Sequence, residues 1–234
     1  GGDGVSAKVT SRVEAAFQRA REKGRAALIL YLTVGYPDLP TTVELVPRLA
    51  AAGADVIELG VPFSDPLADG ATIQQASARA LQQGVRLREC LRVARKTRER
   101  TDVPLLFMGY YNPILRCGLG EYAAACRSAG VDGTIVPDLP PEEADDLRAE
   151  LRAQGQDLIF LLAPTSPDER IEQVARMASG FVYCVSLTGV TGARSSLPPG
   201  LPAFLDRVRL RVHAPLAVGF GVMGVRRRSG DRRR

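Results

Sequence analysis

Ala52-Gly53-Ala54-Asp55-Val56-Ile57-Glu58-Leu59-Gly60-Val61 decides the fold. An alanine-rich helix end meets a glycine of the kind that stops helices, and three residues later an apolar run of strand length begins. Ala129-Gly130-Val131-Asp132 repeats the device ahead of Gly133–Pro137. A helix, a glycine stop and a short loop into a buried strand is half of a βαβ unit, and its recurrence predicts a repeated α/β architecture.

Working outward, seven runs read as strands: Ala27–Thr33, Val56–Val61, Leu105–Tyr110, Gly133–Pro137, Leu158–Ala163, Phe181–Ser186 and Leu216–Phe220. Most are continuously apolar, as parallel strands covered on both faces are. Helices are expected at Ser11–Lys23, Thr41–Ala52, Thr72–Gln83, Leu87–Arg100, Tyr122–Ser128, Pro141–Ala153, Pro167–Ala178 and Leu201–Val212. Pro47 inside the second of these has no explanation in the sequence. Seven β–α units favour a barrel over an open doubly wound sheet, and no glycine-rich nucleotide loop follows the first strand. The expected fold class is therefore α/β, a (β/α)8 TIM barrel. Residues 1–225 form the barrel domain and 226–234 an Arg-rich tail.

The net charge of +5 over 234 residues belongs to that tail. Arg226 to Arg234 hold six Arg and one Asp, leaving 25 basic and 25 acidic residues in the other 225. A neutral body, and a tail with no aromatic residue to stack a base, argue against nucleic-acid binding. The apolar stretches Ala26–Val34 and Pro215–Val225 are too short to span a bilayer, and Gly1–Thr10 offers no signal-peptide core. Cys90, Cys117, Cys126 and Cys184 show no CxxC spacing and read as free thiols. A cytoplasmic protein is expected.

Glu58 is the chemical anomaly, a carboxylate within the apolar strand Val56–Val61. Burying it costs free energy unless it is paired or protonated. Alternate barrel residues point inward, so Glu58 faces the axis near the strand's C-terminal end, where barrel enzymes act. The bland alternative is a structural glutamate in a barrel ion pair. Asp69, ahead of Gly70 in the following loop, alone reads as a turn residue, and Asp65-Pro66 likewise. Together, a strand carboxylate and a loop carboxylate above it can do general acid–base work. The lysines, Lys8, Lys23 and Lys96, fall on no strand, and His213 is the sole histidine. A Schiff base and a histidine-rich metal site are thus both disfavoured, leaving the carboxylates.

The run Glu58 to Gly70 resembles the tryptophan synthase alpha subunit family. So, in order, do Tyr31-Leu-Thr-Val-Gly-Tyr-Pro37, Phe107-Met-Gly-Tyr-Tyr-Asn-Pro113, Val136-Pro-Asp-Leu-Pro140, Thr188-Gly-Val-Thr-Gly-Ala-Arg194 and Gly219-Phe-Gly221. The resemblance implies a lyase that splits indole-3-glycerol phosphate to indole and glyceraldehyde 3-phosphate, without cofactor or metal. It implies Glu58 and Asp69 as the catalytic pair, and Tyr31, Met108, Ile135 and Tyr183 around the indole. Thr191 corresponds to the threonine that meets Asp69 when the loop Gly189–Ser196 closes. Gly192 and Gly221 correspond to phosphate-contacting glycines, though each also fits an ordinary turn. Asp65, Pro66, Asn112 and Pro113 are implied to face a beta subunit in an alpha2beta2 assembly.

The departure comes after Gly221, where the family's second phosphate segment, a Gly-Ser pair after strand eight, has no counterpart. Val222-Met-Gly-Val-Arg-Arg-Arg-Ser-Gly-Asp-Arg-Arg-Arg234 stands there instead. The expectation is a C-terminally truncated or frameshifted chain lacking the eighth strand and final helix, with impaired activity. Two alternatives remain open: a catalytically impaired partner that only docks on the beta subunit, and a different phosphosugar barrel enzyme.

Overall fold

The computed structural model describes residues 11–66, 69–185 and 199–219. Seven strands lie in one parallel sheet: β1 (Ile29–Thr33), β2 (Val56–Gly60), β3 (Leu105–Met108), β4 (Gly133–Ile135), β5 (Asp157–Leu162), β6 (Val182–Val185) and β7 (Leu216–Gly219). Their spatial order follows the sequence, β1 through β7. A doubly wound sheet reverses its order part-way, so this sequential order is that of a barrel wall. All seven expected strands are present. The stretch after Gly219, on which the expected lack of an eighth strand rests, lies outside the described residues.

The helices are α1 (Arg12–Glu22), α2 (Leu39–Ala51), α3 (Ala71–Gln82), α4 (Leu87–Arg98), α5 (Tyr111–Cys117), α6 (Leu119–Ala129), α7 (Asp145–Ala153), α8 (Asp168–Met177) and α9 (Leu201–Arg209). Four departures from expectation have local causes. First, α2 starts two residues early because the Asp38 carboxylate accepts from the Thr41 N–H at 2.7 Å and Pro40 fits the first turn. The helix continues through Pro47 all the same. Second, α5 was not among the expected helices; its Pro113 is in the first turn, where a proline lacks only an N–H that would be unpaired anyway. Third, α6 begins at Leu119 rather than Tyr122. Fourth, Pro141–Ala153 divides into a 3-10 turn at Pro141–Glu143 and then α7.

Two apolar layers result. Outside the sheet, Leu59, Phe107, Phe160 and Val182 pack with the surrounding helices. Inside it, Val56, Leu106, Ile135, Ile159 and Phe181 form a separate core with Val13 and Ala16 of α1. The lead-in helix thus plugs one barrel end, with the rings of Phe17 and Phe181 5.2 Å apart. A capping box starts that plug: the Ser11 hydroxyl accepts from the Glu14 N–H at 3.1 Å while the Ser11 N–H reaches the Glu14 carboxylate at 3.4 Å. The Ser11 side chain acts on Asp157, the first residue of β5, so the plugged end is the strands' N-terminal end.

The sequence echo has a physical meaning at that end. The Asp55 carboxylate accepts from the Leu28 N–H at 2.7 Å and from the Arg25 guanidinium at 2.6 and 2.9 Å. The Asp132 carboxylate accepts from the Leu105 N–H at 2.9 Å and from Arg98 at 2.7 Å. Each aspartate therefore ties the entry of its strand to the entry of the strand before, and each binds an arginine. Gly53 and Gly130 end the preceding helices with φ of +112° and +77°. Cys90, Cys117, Cys126 and Cys184 are free thiols, of which only Cys117 is exposed. Among the described residues no helix is long and apolar enough to cross a membrane.

Candidate active site

With α1 filling the N-terminal end, the open end of the wall is the one reached by the strands' C-termini. Glu58, the third residue of β2, has Tyr31 of β1 on one side and Leu106 of β3 on the other. It is only 3% exposed, and among the described residues its Oε1 has no hydrogen-bond partner. Among the described residues no cation pairs with it, so the barrel ion pair considered from the sequence is not what surrounds Glu58. Burial pushes its carboxyl up to about 7. Against the ordinary glutamate value, that disfavours the ionised form by on the order of 3 kcal/mol. A carboxyl poised near neutrality can both give and take a proton.

Asp69 lies in the loop that follows β2, half-buried, its backbone N–H bonded to the Pro66 carbonyl at 3.0 Å. Its carbonyl accepts from the Gln74 side chain of α3 at 2.8 Å. Burial raises the carboxyl while a hydrogen bond from the Tyr110 hydroxyl opposes the rise. Tyr110, two residues beyond β3 and just ahead of α5, is 6% exposed and stacks on Phe63 with ring centroids 5.1 Å apart. Sequence reasoning quoted the motif containing Tyr110 but gave it no role. Only contact with Asp69 reveals one.

Tyr31 joins the two carboxylates. Its hydroxyl lies 3.2 Å from Thr33 Oγ1, and burial, Asp69 and Glu58 all act to push it up, to about 12. Its phenol occupies space left by Gly60, where a Cβ would fall 2.1 Å from the hydroxyl oxygen. The opposite wall repeats this arrangement. Tyr183 of β6 lies in register with Ala217 of β7 and covers Gly219, where a Cβ would again meet the hydroxyl at 2.1 Å. Burial and Glu58 both push the Tyr183 hydroxyl up.

Met108 and Tyr183, half-buried, and Ile135, fully buried, belong to the inner core with Leu161 and Ala217, which the sequence did not single out. Asp65 and Pro66 are in the loop between β2 and Asp69. Asn112 and Pro113 are in the first turn of α5, which Asp138 anchors by accepting from the Tyr111 N–H at 3.0 Å. Thr191, Gly192 and Gly221 lie outside the described residues. Lys23 just after α1 and Lys96 on α4 are exposed, and His213 is exposed ahead of β7. No group of His, Cys, Asp or Glu among the described residues could hold a metal ion.

Comparisons with known proteins agree on one family. Residues 17–228 match the family described as tryptophan synthase alpha chain. The alpha chain of Roseiflexus sp. (strain RS-1) is 58% identical over 213 residues, 91% of this chain and 82% of the relative. That of Dehalococcoides mccartyi is 55% identical over 212 residues, 91% and 81% of the two chains. The alpha subunit structure from Legionella pneumophila superposes with a TM-score of 0.84 at 36% identity, covering 92% of this chain and 79% of the other. A Pyrococcus furiosus structure, titled for mutual activation in the tryptophan synthase a2b2 complex, gives 0.79 at 43% identity over 84% and 79%.

Proposed function

This chain belongs to the tryptophan synthase alpha chain family, and from that premise we propose that Glu58 and Asp69 carry out the family's retro-aldol cleavage of indole-3-glycerol phosphate. The observation that carries the reading is a buried, unpaired carboxyl held near neutrality at the open end of the barrel, with a second carboxyl on the loop above it. Protonated Glu58 gives its proton to indole C3, and the resulting cation is stabilised by Asp69 as acceptor of the ring N–H. The Glu58 carboxylate then takes the proton of the hydroxyl on the adjoining glycerol carbon. The carbon–carbon bond breaks, its electron pair returns to the ring, and glyceraldehyde 3-phosphate leaves as an aldehyde. Glu58 ends protonated, as it began.

Tyr31, Met108, Ile135 and Tyr183 form the apolar wall for the indole in this reading. Thr191, Gly192 and Gly221 complete the site in the same reading. Residues 1–225 act as one barrel unit, with 226–234 appended to it. The partner is the beta subunit of an alpha2beta2 assembly in the cytoplasm, met by Asp65, Pro66, Asn112 and Pro113. Ordering of the loop that Asp65 and Pro66 share with Asp69 then couples docking to catalysis.

Glu58→Gln tests the assignment, because Gln keeps the shape and cannot transfer the proton. Indole release, assayed with the beta subunit present, is expected to fall by at least about 10²-fold with docking retained. Retention of more than a tenth of the activity would remove Glu58 from the mechanism.

A further inference from the structure

We propose that Tyr31, through its hydroxyl, is a positioning residue for Glu58: the phenol, backed by Thr33, turns its proton onto the Glu58 carboxylate whenever that group ionises. The inference rests on the catalytic reading of Glu58 given above and extends it to the control of that group's protonation.

Four observations carry it. Tyr31 and Glu58 are direct neighbours across the β1–β2 ladder. The phenol leans toward the strands' C-terminal ends until its oxygen fills the Cβ place of Gly60, two residues beyond Glu58 on the same inward row. Two residues of strand span about 6.6 Å, a distance a glutamate side chain reaching up the row and a tyrosine hydroxyl above it can close between them. Among the described residues Glu58 Oε1 is buried with no partner, which leaves one carboxylate oxygen to accept. Finally, Tyr31 and Thr33 share a single contact at 3.2 Å in which either oxygen can donate. Two hydroxyls bring two protons to that contact and use one.

The spare proton has a preferred direction. A charge-assisted bond from a phenol to a carboxylate is roughly twice as strong as one between neutral hydroxyls. Once Glu58 ionises, the lower-energy arrangement has Thr33 donating to Tyr31 and Tyr31 donating to Glu58. With Glu58 protonated, the phenol returns its proton to Thr33. Apolar neighbours such as Leu106 offer the carboxylate nothing comparable. Among the described residues, the titratable groups that act on Glu58 or on Tyr31 are Tyr183 from β6, Asp69 from the loop after β2 and Cys90 from α4, none of them a cation. A pocket-lining aromatic needs no hydroxyl. The oxygen is what marks Tyr31 as more than wall.

The test is direct titration of Glu58 in the 234-residue chain, by carboxyl carbon NMR of ¹³C-glutamate-labelled protein, with the Glu58 resonance assigned by its loss in E58Q. Burial alone would put Glu58 at about 7, and with the Tyr31 bond in place wild-type Glu58 is expected to titrate below that. Tyr31→Phe keeps the ring over Gly60 and removes only the oxygen, and is expected to raise that value by about one unit, a tenfold change in acid constant. Thr33→Val is expected to move it the same way by less. In turnover assays, Tyr31→Phe should shift the corresponding limb of the pH profile upward and lower kcat with little change in KM. An unmoved Glu58 titration in Tyr31→Phe overturns the proposal, as does a change confined to KM, which is what a simple pocket wall would give. Retained activity in E58Q sinks the catalytic reading itself, whereas an inactive E58Q beside an unmoved Tyr31→Phe sinks only this extension.

Discussion

Gly60→Ala puts a single methyl group where the structure leaves least room for one. The added Cβ would meet the Tyr31 hydroxyl oxygen at 2.1 Å, Cζ at 2.6 Å and Cε2 at 2.8 Å. Ordinary contact needs well over 3 Å, so the ring must retreat by more than an ångström. The retreat breaks the bond to Thr33, a loss of about 1 kcal/mol. Forcing the ring off its rotamer costs a further ~0.5–1.5 kcal/mol. The expected total is about 2 kcal/mol. Gly53→Ala is the comparison: its φ of +112° strains any side chain, but no atom lies within 4 Å of the new Cβ. It should cost about 1 kcal/mol through the backbone alone.

Urea unfolding of Gly60→Ala, Tyr31→Leu and the double variant separates clash from propensity. With the ring gone, Gly60→Ala should cost much less, leaving a coupling of ~1–2 kcal/mol between the two sites. Strict additivity, or a Gly60→Ala cost no larger than that of Gly53→Ala, would refute the claim that the phenol stands on the β2 backbone.

The burial of Glu58 makes stability depend on pH in a stated direction. Its folded value near 7 lies above its unfolded value near 4.5, so the native state holds an extra proton between them and stability falls as pH rises through that window. Glu58→Gln should therefore be more stable than wild type at pH 8, by up to about 3 kcal/mol, and equal stabilities in urea at that pH would contradict the burial argument. Tyr110→Phe should raise the Asp69 carboxyl further and slow indole release about tenfold; an unchanged rate would show that the Tyr110 hydroxyl does not orient Asp69. Arg98→Leu should cost about 2–3 kcal/mol, because it leaves the half-buried Asp132 with only the more exposed Arg12, 3.9 Å away. A loss under 1 kcal/mol in thermal unfolding would mean the strand-entry tie holds without its arginine.

The strands were legible because parallel strands covered on both sides must be apolar throughout, and such runs are hard to hide. Glu58 was legible for the same reason, as a charge that its own strand could not tolerate without purpose. The α5 helix was hidden because Asn112-Pro113 carries turn chemistry, and only the surrounding structure decides between a turn and a first helical turn. Tyr110 was hidden by distance. Its partner Asp69 is 41 residues earlier in the chain, and nothing in either segment announces that the loop after β2 folds over the end of β3. The Gly60 cradle was hidden for a related reason. A glycine in a strand suggests close approach by something, but the phenol that approaches comes from another strand.

Asp55 and Glu58 are three residues apart and show how this barrel divides its carboxylates. Asp55, at the strand's entry, receives a bidentate guanidinium and a backbone N–H, and the hydrogen bond to Arg25 holds its carboxyl below the usual range. Glu58, half a strand further on, receives apolar walls, and its carboxyl moves the other way. Nothing intrinsic to the two side chains separates them, since both carry the same group. The difference is the direction of the chain. Entry ends of the strands can be roofed by α1 and stapled, because no substrate passes there. Exit ends must stay open, so the helix that would bring a compensating arginine cannot cross them. Destabilisation of an ionised Glu58 is thus located where the fold has the fewest means of relieving it, and the tie at Asp55 is located where it offsets it without obstructing the mouth.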